Sequence, residues 1–413
     1  MINRAYDVIV VGGGASGMMA AAEASMHGKR VLLLEKNYSL AVKLKISGGG
    51  RCNITNAETD TRILLRNYGK AEKLLYAPFS EFGMQDTFTF FTKHGLPLVV
   101  EDNKRAFPKS QKAWDVYQTL LNILLENDVT IKTNYVVERI IRNKESIIGI
   151  ETNHETFVVK SLILATGGVS HPETGSTGDG FTWLKELGHT IHEPTPTIVP
   201  LAVKEQWVKS MQGVSLPTMK ITFYVDKKKQ FSKKGSLLFT HFGVSGPLIL
   251  NTASKVYTLL QEGDVTAHID AFPDMEINIL ERKVLDIFDM YKQRTLKTVF
   301  KDIVPSGTSN GLQLLFPDID FETKVHSVTK EDRKKIVHTL KDLPITITGL
   351  MGKDRAVAAD GGVELGEIDM KTMRSKLYHN LYITGDLLHI NRPSGGYSLQ
   401  LCWTTGYIAG RNA

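Results

Sequence analysis

The stretch of sequence that decides the fold is residues 6–17, Tyr-Asp-Val-Ile-Val-Val-Gly-Gly-Gly-Ala-Ser-Gly. Its apolar first half, residues 6–11, is typical of a buried β-strand, and residues 18–27 are typical of a helix built from small side chains. A second apolar strand, residues 31–34, ends at Glu35. The order strand, glycine loop, helix and strand predicts a βαβ unit that binds a dinucleotide.

Each glycine of this loop has its own role in such a unit. Gly12 permits the tight turn, Gly14 lets the backbone approach a pyrophosphate, and Gly17 lets the helix pack closely on the strand. The N–H groups and the dipole of the helix favour the diphosphate. Glu35 is spaced to accept hydrogen bonds from the ribose of an adenosine. The predicted cofactor contacts of the loop are Gly12, Gly14, Ala15, Ser16 and Gly17.

Further glycine motifs lie far from this loop in the sequence. Ala165-Thr166-Gly167-Gly168 follows one predicted strand, Gly385-Asp386 follows the last one, and Gly395-Gly396 precedes a predicted last helix. A long, extended cofactor explains these scattered motifs better than a short one, so we predict FAD as the bound cofactor. We expect Asp386 to accept hydrogen bonds from the ribityl chain. The N-terminus of the last helix should face the flavin pyrimidine, where reduced flavin carries negative charge.

Composition excludes several other classes of protein. The chain has 413 residues, of which 42% are hydrophobic and 23% charged. These values are ordinary for a globular chain, and they exclude disorder, collagen and coiled coil as dominant states. The two cysteines, Cys52 and Cys402, lie far apart, which excludes a disulfide framework or a cysteine-built zinc site. The absence of a Cys-x-x-Cys pair argues against a disulfide reductase.

The sequence also carries expectations about where the protein works. The first residues run almost at once into the apolar strand, without the charged and long apolar regions of a signal peptide. Nowhere do 18 apolar residues follow one another, so we predict no membrane-spanning helix. We therefore expect a cytoplasmic protein with no membrane partner and no metal.

The sequence pattern of the chain changes near residue 193. We interpret the proline-rich residues 193–201 as a crossing linker. We predict an α/β domain built from both chain ends, residues 1–192 and 350–413, interrupted by an inserted β-plus-helix domain, residues 193–349. The patterns that support this organisation predict strands over 129–141, 146–151, 156–165 and 381–384, β structure over 197–270, and helices over 113–126, 276–303, 330–342 and 396–409.

The chain is mildly basic, with a formal net charge of +6 and a pI of about 9.0. This charge permits contact with a polyanion without requiring it. The densest group of positive charges, defined here as the lysine cluster, allows two interpretations: a solvated hairpin tip, or a patch that follows phosphates. Its members are Lys227, Lys228, Lys229, Lys233 and Lys234.

One stretch, Ser47-Gly-Gly-Gly-Arg-Cys-Asn-Ile-Thr-Asn56, resembles the signature of the BaiN-like (YhiN-like) flavoproteins. That family is also labelled NAD(P)/FAD-dependent oxidoreductase or aminoacetone oxidase family, and it lies within the two-dinucleotide-binding-domain flavoproteins. The resemblance runs from end to end of the chain. It has two departures: Ser398 stands where the family usually has Asn, and the sequence of His389–Pro393 is less acidic than the family's and lacks its glycine. Further matching segments are 105–108, 174–180, 238–247, 361–363, 372–376 and 395–400.

The resemblance implies a Rossmann-type FAD-binding domain interrupted by an inserted domain with a β-barrel-like part and a helical part. It also implies that FAD touches the loop Gly48–Asn53. Elementary chemistry agrees, because three glycines expose backbone N–H groups and Arg51 offers a fork for a phosphate or a flavin carbonyl. Beyond the first loop and Glu35, the predicted contacts are Lys36, Lys43, Gly48, Gly49, Gly50, Arg51, Cys52, Asn53, Val137 (against adenine), Ala165, Thr166, Gly167, Gly168, Gly385, Asp386, Gly395, Gly396, Tyr397, Ser398 and Leu399.

The chemistry that follows is that of an FAD-dependent oxidoreductase. A second strand–Gly-x-Gly-x-x-Gly–helix unit is absent from the sequence, so we expect NAD(P)H to bind transiently as a co-substrate. By resemblance, the favoured reaction is reduction of a conjugated C=C in a small-molecule acceptor through flavin N5. The alternatives are a flavin-dependent ribosomal RNA dihydrouridine synthase, which would make ribosomal RNA a partner, and an amine oxidase or a non-catalytic flavin-binding module.

The sequence offers only weak candidates for a catalytic acid or base. The three we name are His241, Arg105 and Cys52. Each also has a structural interpretation: a satisfied histidine, a surface ion pair and a packed thiol in the cofactor loop, respectively. Lesser candidates are Lys104, Lys109, His171 and Tyr397.

Overall fold

A computed structural model describes residues 6–196, 198–351 and 359–413. The chain divides into two compact units: Met1–Pro196 together with Val357–Ala413 form the first, and Thr197–Ala356 form the second. These bounds lie within a few residues of the divisions at 193 and 350 named above. The mainly parallel sheet of the first unit and the insertion of the second unit into its chain confirm the predicted α/β fold class.

The first segment of the first unit contains seven helices and eleven strands among its described residues. The helices are α1 Ala15–Met26, α2 Val42–Gly50, α3 Thr61–Leu65, α4 Glu72–Glu81, α5 Met84–Lys93, α6 Ala113–Glu126 and α7 Asp179–Glu186. The strands are β1 Val8–Val11, β2 Val31–Glu35, β3 Thr55–Asn56, β4 Leu98–Glu101, β5 Arg105–Pro108, β6 Thr130–Thr133, β7 Val137–Arg142, β8 Ile147–Thr152, β9 Thr156–Val158, β10 Ser161–Leu164 and β11 Ile191–Pro196.

The second unit and the return of the chain complete the fold. The second unit holds β12 Leu201–Val203, α8 Gln206–Lys209, β13 Ser215–Val225, β14 Lys228–Thr240, β15 Gly243–Ser245, α9 Pro247–Leu250, α10 Ala253–Glu262, β16 Val265–Asp270, α11 Ile277–Met290, α12 Leu296–Ile303, α13 Ser309–Gln313, α14 Lys330–Lys341 and β17 Leu343–Leu350. The last segment of the first unit holds β18 Ala359–Val363, β19 Ile368–Asp369, β20 Arg374–Ser375, β21 Leu381–Ile383 and α15 Tyr397–Asn412.

A seven-stranded sheet forms the core of the first unit, in the order β19-β20-β21-β10-β1-β2-β6. The central strands β21, β10, β1, β2 and β6 are parallel. Strands β1 and β2 are buried along their whole length, as expected for apolar strands in the middle of a parallel sheet. Because neighbouring parallel strands end at one edge of the sheet, the loops after β1, β10 and β21 emerge side by side.

Two glycines in the last helix set how closely α15 packs on α1. A Cβ at Gly406 would lie 2.4 Å from the carbonyl oxygen of Ser16, and one at Gly410 would lie 2.3 Å from that of Ala20. Real Cβ atoms do not approach so closely, so the spacing Gly-x-x-x-Gly allows backbone contact between the two helices. The first and last helices of the chain therefore pack as one tight pair.

The second unit contains a closed barrel in the order β12-β15-β14-β13-β16-β17, which confirms the predicted barrel-like part. Along β13, Ile221, Phe223 and Val225 are buried, while the alternate side chains are more exposed. Helices α11 to α14 form the helical part. Asp226 and Lys227 have positive φ values of 47° and 67° at the turn of the β13–β14 hairpin, so the lysine cluster begins at a hairpin tip, as one of its interpretations predicted.

The structure corrects several predicted elements. The predicted strand 129–141 is two strands, β6 and β7, in different sheets, and 156–165 is likewise divided between β9 and β10. Part of the predicted linker, residues 193–196, belongs to β11, and Thr195 and Pro196 pair with β18. The stretch 197–270 contains helices as well as β strands. By contrast, α6 occupies the residues predicted for it, Ala113–Glu126.

Candidate cofactor site

The first glycine loop has the tight geometry that its spacing predicts. Gly12 has a φ of +105°, and a Cβ there would lie 2.5 Å from the carbonyl oxygen of Ala165. A Cβ at Gly17 would lie 1.9 Å from the carbonyl oxygen of Gly12. Only glycine fits at these two positions, because the helix packs directly on the backbone of the turn.

Gly14 differs from its neighbours because the space beside it is open. A Cβ at Gly14 would meet no heavy atom within 4 Å among the described residues. Gly14 is also the N-cap of α1, and no side chain in the described part of the chain caps that end of the helix. Exposed helix N–H groups beside open space are the features that a pyrophosphate requires.

Glu35 ends β2 and is buried. Its Oε2 accepts a hydrogen bond from Gly13 N at 2.8 Å, and its Oε1 accepts one from Asn37 N at 2.8 Å. Burial raises the pKa of this carboxyl, and the two backbone hydrogen bonds oppose the rise. Tyr135 N donates to the carbonyl oxygen of Glu35 at 3.0 Å, which brings the start of β7 and its buried Val137 to the same end of the sheet. Glu35 and Val137, the predicted ribose and adenine contacts, therefore lie on neighbouring segments.

The two distant glycine motifs meet the first loop at the edge of the sheet. Thr384 Oγ1 donates to Ser16 Oγ at 3.2 Å, and a Cβ at Gly385 would lie 2.8 Å from that same oxygen. A Cβ at Gly168 would lie 3.6 Å from the Cβ of Asp386. The side-chain oxygen of Thr166 is buried and has no hydrogen-bond partner among the described residues. This hydroxyl is covered by the protein itself, against Gly180 of α7, so the fit to a bound dinucleotide rests on the open space beside Gly14 and on the meeting of the three loops at this edge.

The loop Gly48–Asn53 closes against the start of the last helix. Gly48, Gly49 and Gly50 all have positive φ, and a Cβ at either of the last two would meet nothing within 4 Å among the described residues. With its amide turned so that both ends are satisfied, Asn53 accepts a hydrogen bond from Gly396 N at 3.0 Å. A Cβ at Gly396 would lie 2.3 Å from the backbone of Thr55. The predicted cofactor loop and the predicted flavin-facing helix are thus adjacent.

Two of the predicted cations are held by protein carboxylates. Lys36 Nζ lies 2.6 Å from Asp179 Oδ2. Arg51 pairs with Glu101, donates to Gln111 Oε1 at 2.7 Å, and lies over the ring of Phe107. Their roles as cofactor contacts remain predictions, and any such role would have to share these ion pairs.

A buried charge cluster surrounds Asp386. Arg392 donates from Nη2 to Asp386 Oδ1 and from Nε to Ser398 Oγ at 3.1 Å. The side chain of Arg392 is only 2% exposed, against 21% for Asp386. Lys43 lies near both charges and donates to Ser170 Oγ at 3.2 Å; its burial lowers its pKa, while the charge of Asp386 raises it. We did not predict Arg392 from the sequence, although it lies in a stretch where the chain departs from the family pattern.

Burial disfavours the thiolate form of both cysteines. Cys52 is fully buried with a φ of 61°, and burial raises its pKa to about 12. Burial likewise raises the pKa of Cys402 to about 12. A thiol with such a pKa remains protonated at neutral pH and is a poor nucleophile. The environment of Cys52 favours the packing interpretation over the reactive one.

The other catalytic candidates are dispersed. His241 is exposed at the β14–β15 turn of the second unit and packs edge-on against Phe242. Arg105 donates from Nε to the carbonyl oxygen of Asp102 at 3.1 Å, and Lys104 pairs with Glu58. His171 lies 2.7 Å from Glu173, Lys109 is exposed, and burial raises the pKa of Tyr397. Their catalytic roles remain predictions.

Within residues 6–196, 198–351 and 359–413, no group of three or more His, Cys, Asp or Glu side chains is arranged to hold a metal ion. Among the helices in those ranges, none has both the length and the apolar character needed to cross a bilayer.

The fold and this edge of the sheet define a Rossmann-type flavoprotein. The chain matches the HI0933-like protein Rossmann domain over residues 6–412 and belongs to this family of FAD-dependent oxidoreductases, which confirms the resemblance stated above.

Three named proteins are similar to this chain over nearly its whole length. It is 28% identical over 407 residues to a 3-dehydro-bile acid Δ(4,6)-reductase of Clostridium scindens, with 98% of each chain covered. It is 25% identical over 412 residues to a ribosomal RNA dihydrouridine synthase of Escherichia coli, again with 98% of each covered. In fold it is similar to the 3-ketosteroid Δ1-dehydrogenase of Sterolibacterium denitrificans, with a TM-score of 0.54, 14% identity and 98% of each chain covered.

Proposed function

We propose that the protein reduces a conjugated C=C bond of a small-molecule acceptor and takes its electrons from NAD(P)H. The observation that carries the proposal is the end-to-end similarity to a reductase that acts on a bile acid. When bound, FAD supplies hydride transfer through its N5 atom. The buried thiols argue against thiol–disulfide chemistry as the alternative.

The residues of the first unit have separate roles in this proposal. The N-terminus of α1 with Gly14 binds the pyrophosphate, and Glu35 binds the adenosine ribose. Asp386 orients the ribityl chain through its carboxylate. The N-terminus of α15, with Gly396 as its N-cap, would stabilise negative charge on a reduced flavin. The catalytic acid stays unassigned.

The test is anaerobic reduction of the purified protein by NADH and, separately, by NADPH, followed by addition of steroid-like and simple enones. We expect a yellow protein whose flavin is bleached by one nicotinamide and reoxidised by an enone. A flavin that no enone reoxidises, but that an amine reduces, would instead support an amine oxidase. A flavin that neither reagent reduces would support a non-catalytic binding module.

A second candidate, dihydrouridine formation in ribosomal RNA, is favoured by one observation on the second unit. The β13–β14 hairpin places Lys220 directly opposite Lys234, which is an unfavourable pair of like charges. Asp274 pairs with Lys234, while Lys228, Lys229 and Lys233 are exposed. Exposed lysines on a hairpin can follow the phosphates of a nucleic acid. The relative named for this activity in Escherichia coli also spans the whole chain.

Replacing the five residues of the lysine cluster with Gln separates the two candidates. If the cluster follows phosphates, RNA affinity should fall and its dependence on salt should flatten, because fewer counterions are released on binding. The measurement is RNA affinity between about 50 and 200 mM salt. Five exposed lysines from the helical part of the second unit, four in helices and Lys292 in the turn after α11, form the charge-matched control when replaced together: Lys283, Lys292, Lys297, Lys301 and Lys334. If the parent binds no RNA, or both variants behave alike, the cluster is only a solvated hairpin tip.

Replacement of Cys52 tests whether a thiol takes part. We expect Cys52→Ser to keep FAD and at least part of the oxidation of NAD(P)H, because the flavin itself carries the hydride chemistry. Cys52→Ala is the matched variant, since it removes the thiol without burying a hydroxyl. Loss of acceptor reduction in both variants, with FAD still bound and still reducible, would make Cys52 a proton donor or a nucleophile.

A further inference from the structure

The buried ion pair of Arg392 with Asp386 is a feature that the proposed function does not require. Burying a guanidinium is costly unless a carboxylate and further hydrogen-bond acceptors surround it. Arg392 has these partners: Asp386 Oδ1, Ser398 Oγ and the carbonyl oxygen of Ile390. Its side chain is therefore fixed in one position.

The partners of Arg392 link two departures from the family pattern. Arg392 lies within the divergent stretch His389–Pro393, and Ser398 stands where the family usually has Asn. The structure joins them by a hydrogen bond of 3.1 Å from Arg392 Nε to Ser398 Oγ. Arg392 thus joins Ser398 to Asp386, the predicted ribityl contact, in one hydrogen-bonded group.

The position of Arg392 is electrostatically unusual. Ser398 is in the first turn of α15, so the guanidinium lies at the positive end of that helix. A cation is unfavourable there, and Asp386 compensates it. Lys43 adds a second cation close to the same carboxylate. Because Lys43 also lies near the carboxylate of Glu173, the positive charge that favours an anionic ligand here is that of Arg392 and the helix N-terminus, beside the partly exposed Asp386.

We propose that Arg392 is a positioning residue that also supplies charge: it fixes Asp386 and Ser398 and adds a permanent positive charge that raises the reduction potential of FAD. The inference rests on the proposed cofactor site and deepens it. By holding Oδ1, Arg392 leaves Asp386 Oδ2 to accept from a second donor. Its charge favours the reduced flavin over the oxidised one, because the reduced form carries negative charge.

The test measures the midpoint potential of bound FAD by reduction against a reference dye, with no acceptor present. Arg392→Gln removes the charge and keeps hydrogen-bond donors, and we expect about a tenfold shift of the equilibrium towards oxidised flavin. For a two-electron couple this is about 30 mV lower. Arg392→Lys and Ser398→Ala keep the charge, so both should stay near the parent value. Arg411→Gln, which removes an exposed charge at the other end of α15, is the control and should change nothing.

Several results would overturn the inference. An unchanged potential in Arg392→Gln, or an equal shift in Arg411→Gln, would show that the guanidinium only stabilises the fold. If Arg392→Gln does not retain FAD, Asp386→Asn takes its place, and its potential should rise because Arg392 loses its counter-charge. A fall or no change there would also overturn the inference. A parent that holds FAD but reduces no enone refutes the proposed function alone, whereas a parent that binds no FAD refutes both.

Discussion

Gly14→Val should leave the protein folded but unable to retain FAD. The space beside Gly14 is open, because a Cβ there would meet no described heavy atom within 4 Å. We expect the cofactor to occupy this space. Valine would occupy the volume that the pyrophosphate needs. We expect FAD affinity to fall by at least about 1,000-fold, or about 4 kcal/mol. The measurement is the flavin content of the purified variant and its affinity after reconstitution.

A second glycine substitution provides the control for Gly14→Val. Gly366 lies in an exposed turn, and a Cβ there would make only ordinary contacts, with Glu364. Gly366→Val should keep FAD. The backbone of Gly14, with φ −81° and ψ −171°, accepts a β-branched residue, so both variants should keep their circular dichroism spectra. Full retention of FAD by Gly14→Val would mean that the cofactor does not lie on this loop.

Asp386→Ala should lower both cofactor affinity and stability. Loss of a charged acceptor for the ribityl chain should cost about 1.5–3 kcal/mol, roughly 10- to 150-fold in affinity. The variant also leaves Arg392 buried without its carboxylate. Breaking such a pair costs about 3 kcal/mol, the lower end of the usual range, because a fifth of the Asp386 side chain is exposed. The measurements are FAD titration and denaturant unfolding of the cofactor-free protein.

The two effects of Asp386→Ala can be separated by the double variant Asp386→Ala with Arg392→Met. Removing both charges should restore much of the unfolding free energy, because no unpaired charge stays buried. FAD affinity should remain low, since the acceptor is still missing. If FAD affinity in Asp386→Ala equals that of the parent, Asp386 is only a turn residue.

The sequence pattern predicts the elements whose residues are neighbours in the sequence, such as the βαβ unit and α6. The βαβ unit follows from the spacing of Gly12, Gly14 and Gly17, although the close contact that requires glycine at position 12 is made by Ala165, which is far away in the sequence. Helix α6 has a clear apolar stripe and was predicted to its ends. Strands β9 and β10 were merged because the apolar run continues through Val159, while the change of sheet at that point depends on distant partners.

The sequence predicts the glycine motifs of the candidate site but not the ion pairs and hydrogen bonds that join its side chains. Glycine motifs identify backbone conformations, and these met at one edge of the sheet as parallel topology requires. Side-chain pairing was out of reach, because Arg51 with Glu101 and Lys36 with Asp179 join residues whose contact depends on the whole fold. Arg392 is the clearest case: only the structure shows that an unremarked loop residue binds the aspartate assigned to the ribityl chain.

The pairing of β11 with β18 has a consequence for how such proteins can diverge. The two strands are antiparallel from Ile191–Val363 to Pro196–Ala359, so the whole second unit occupies the place of a hairpin loop. The entropy of closing a loop rises by only about 0.6 kcal/mol for each doubling of its length, or about 2.4 kcal/mol from 10 to 160 residues. The hairpin is therefore a position where inserted domains of very different size can replace one another, while the sheet and its glycine loops keep their structure.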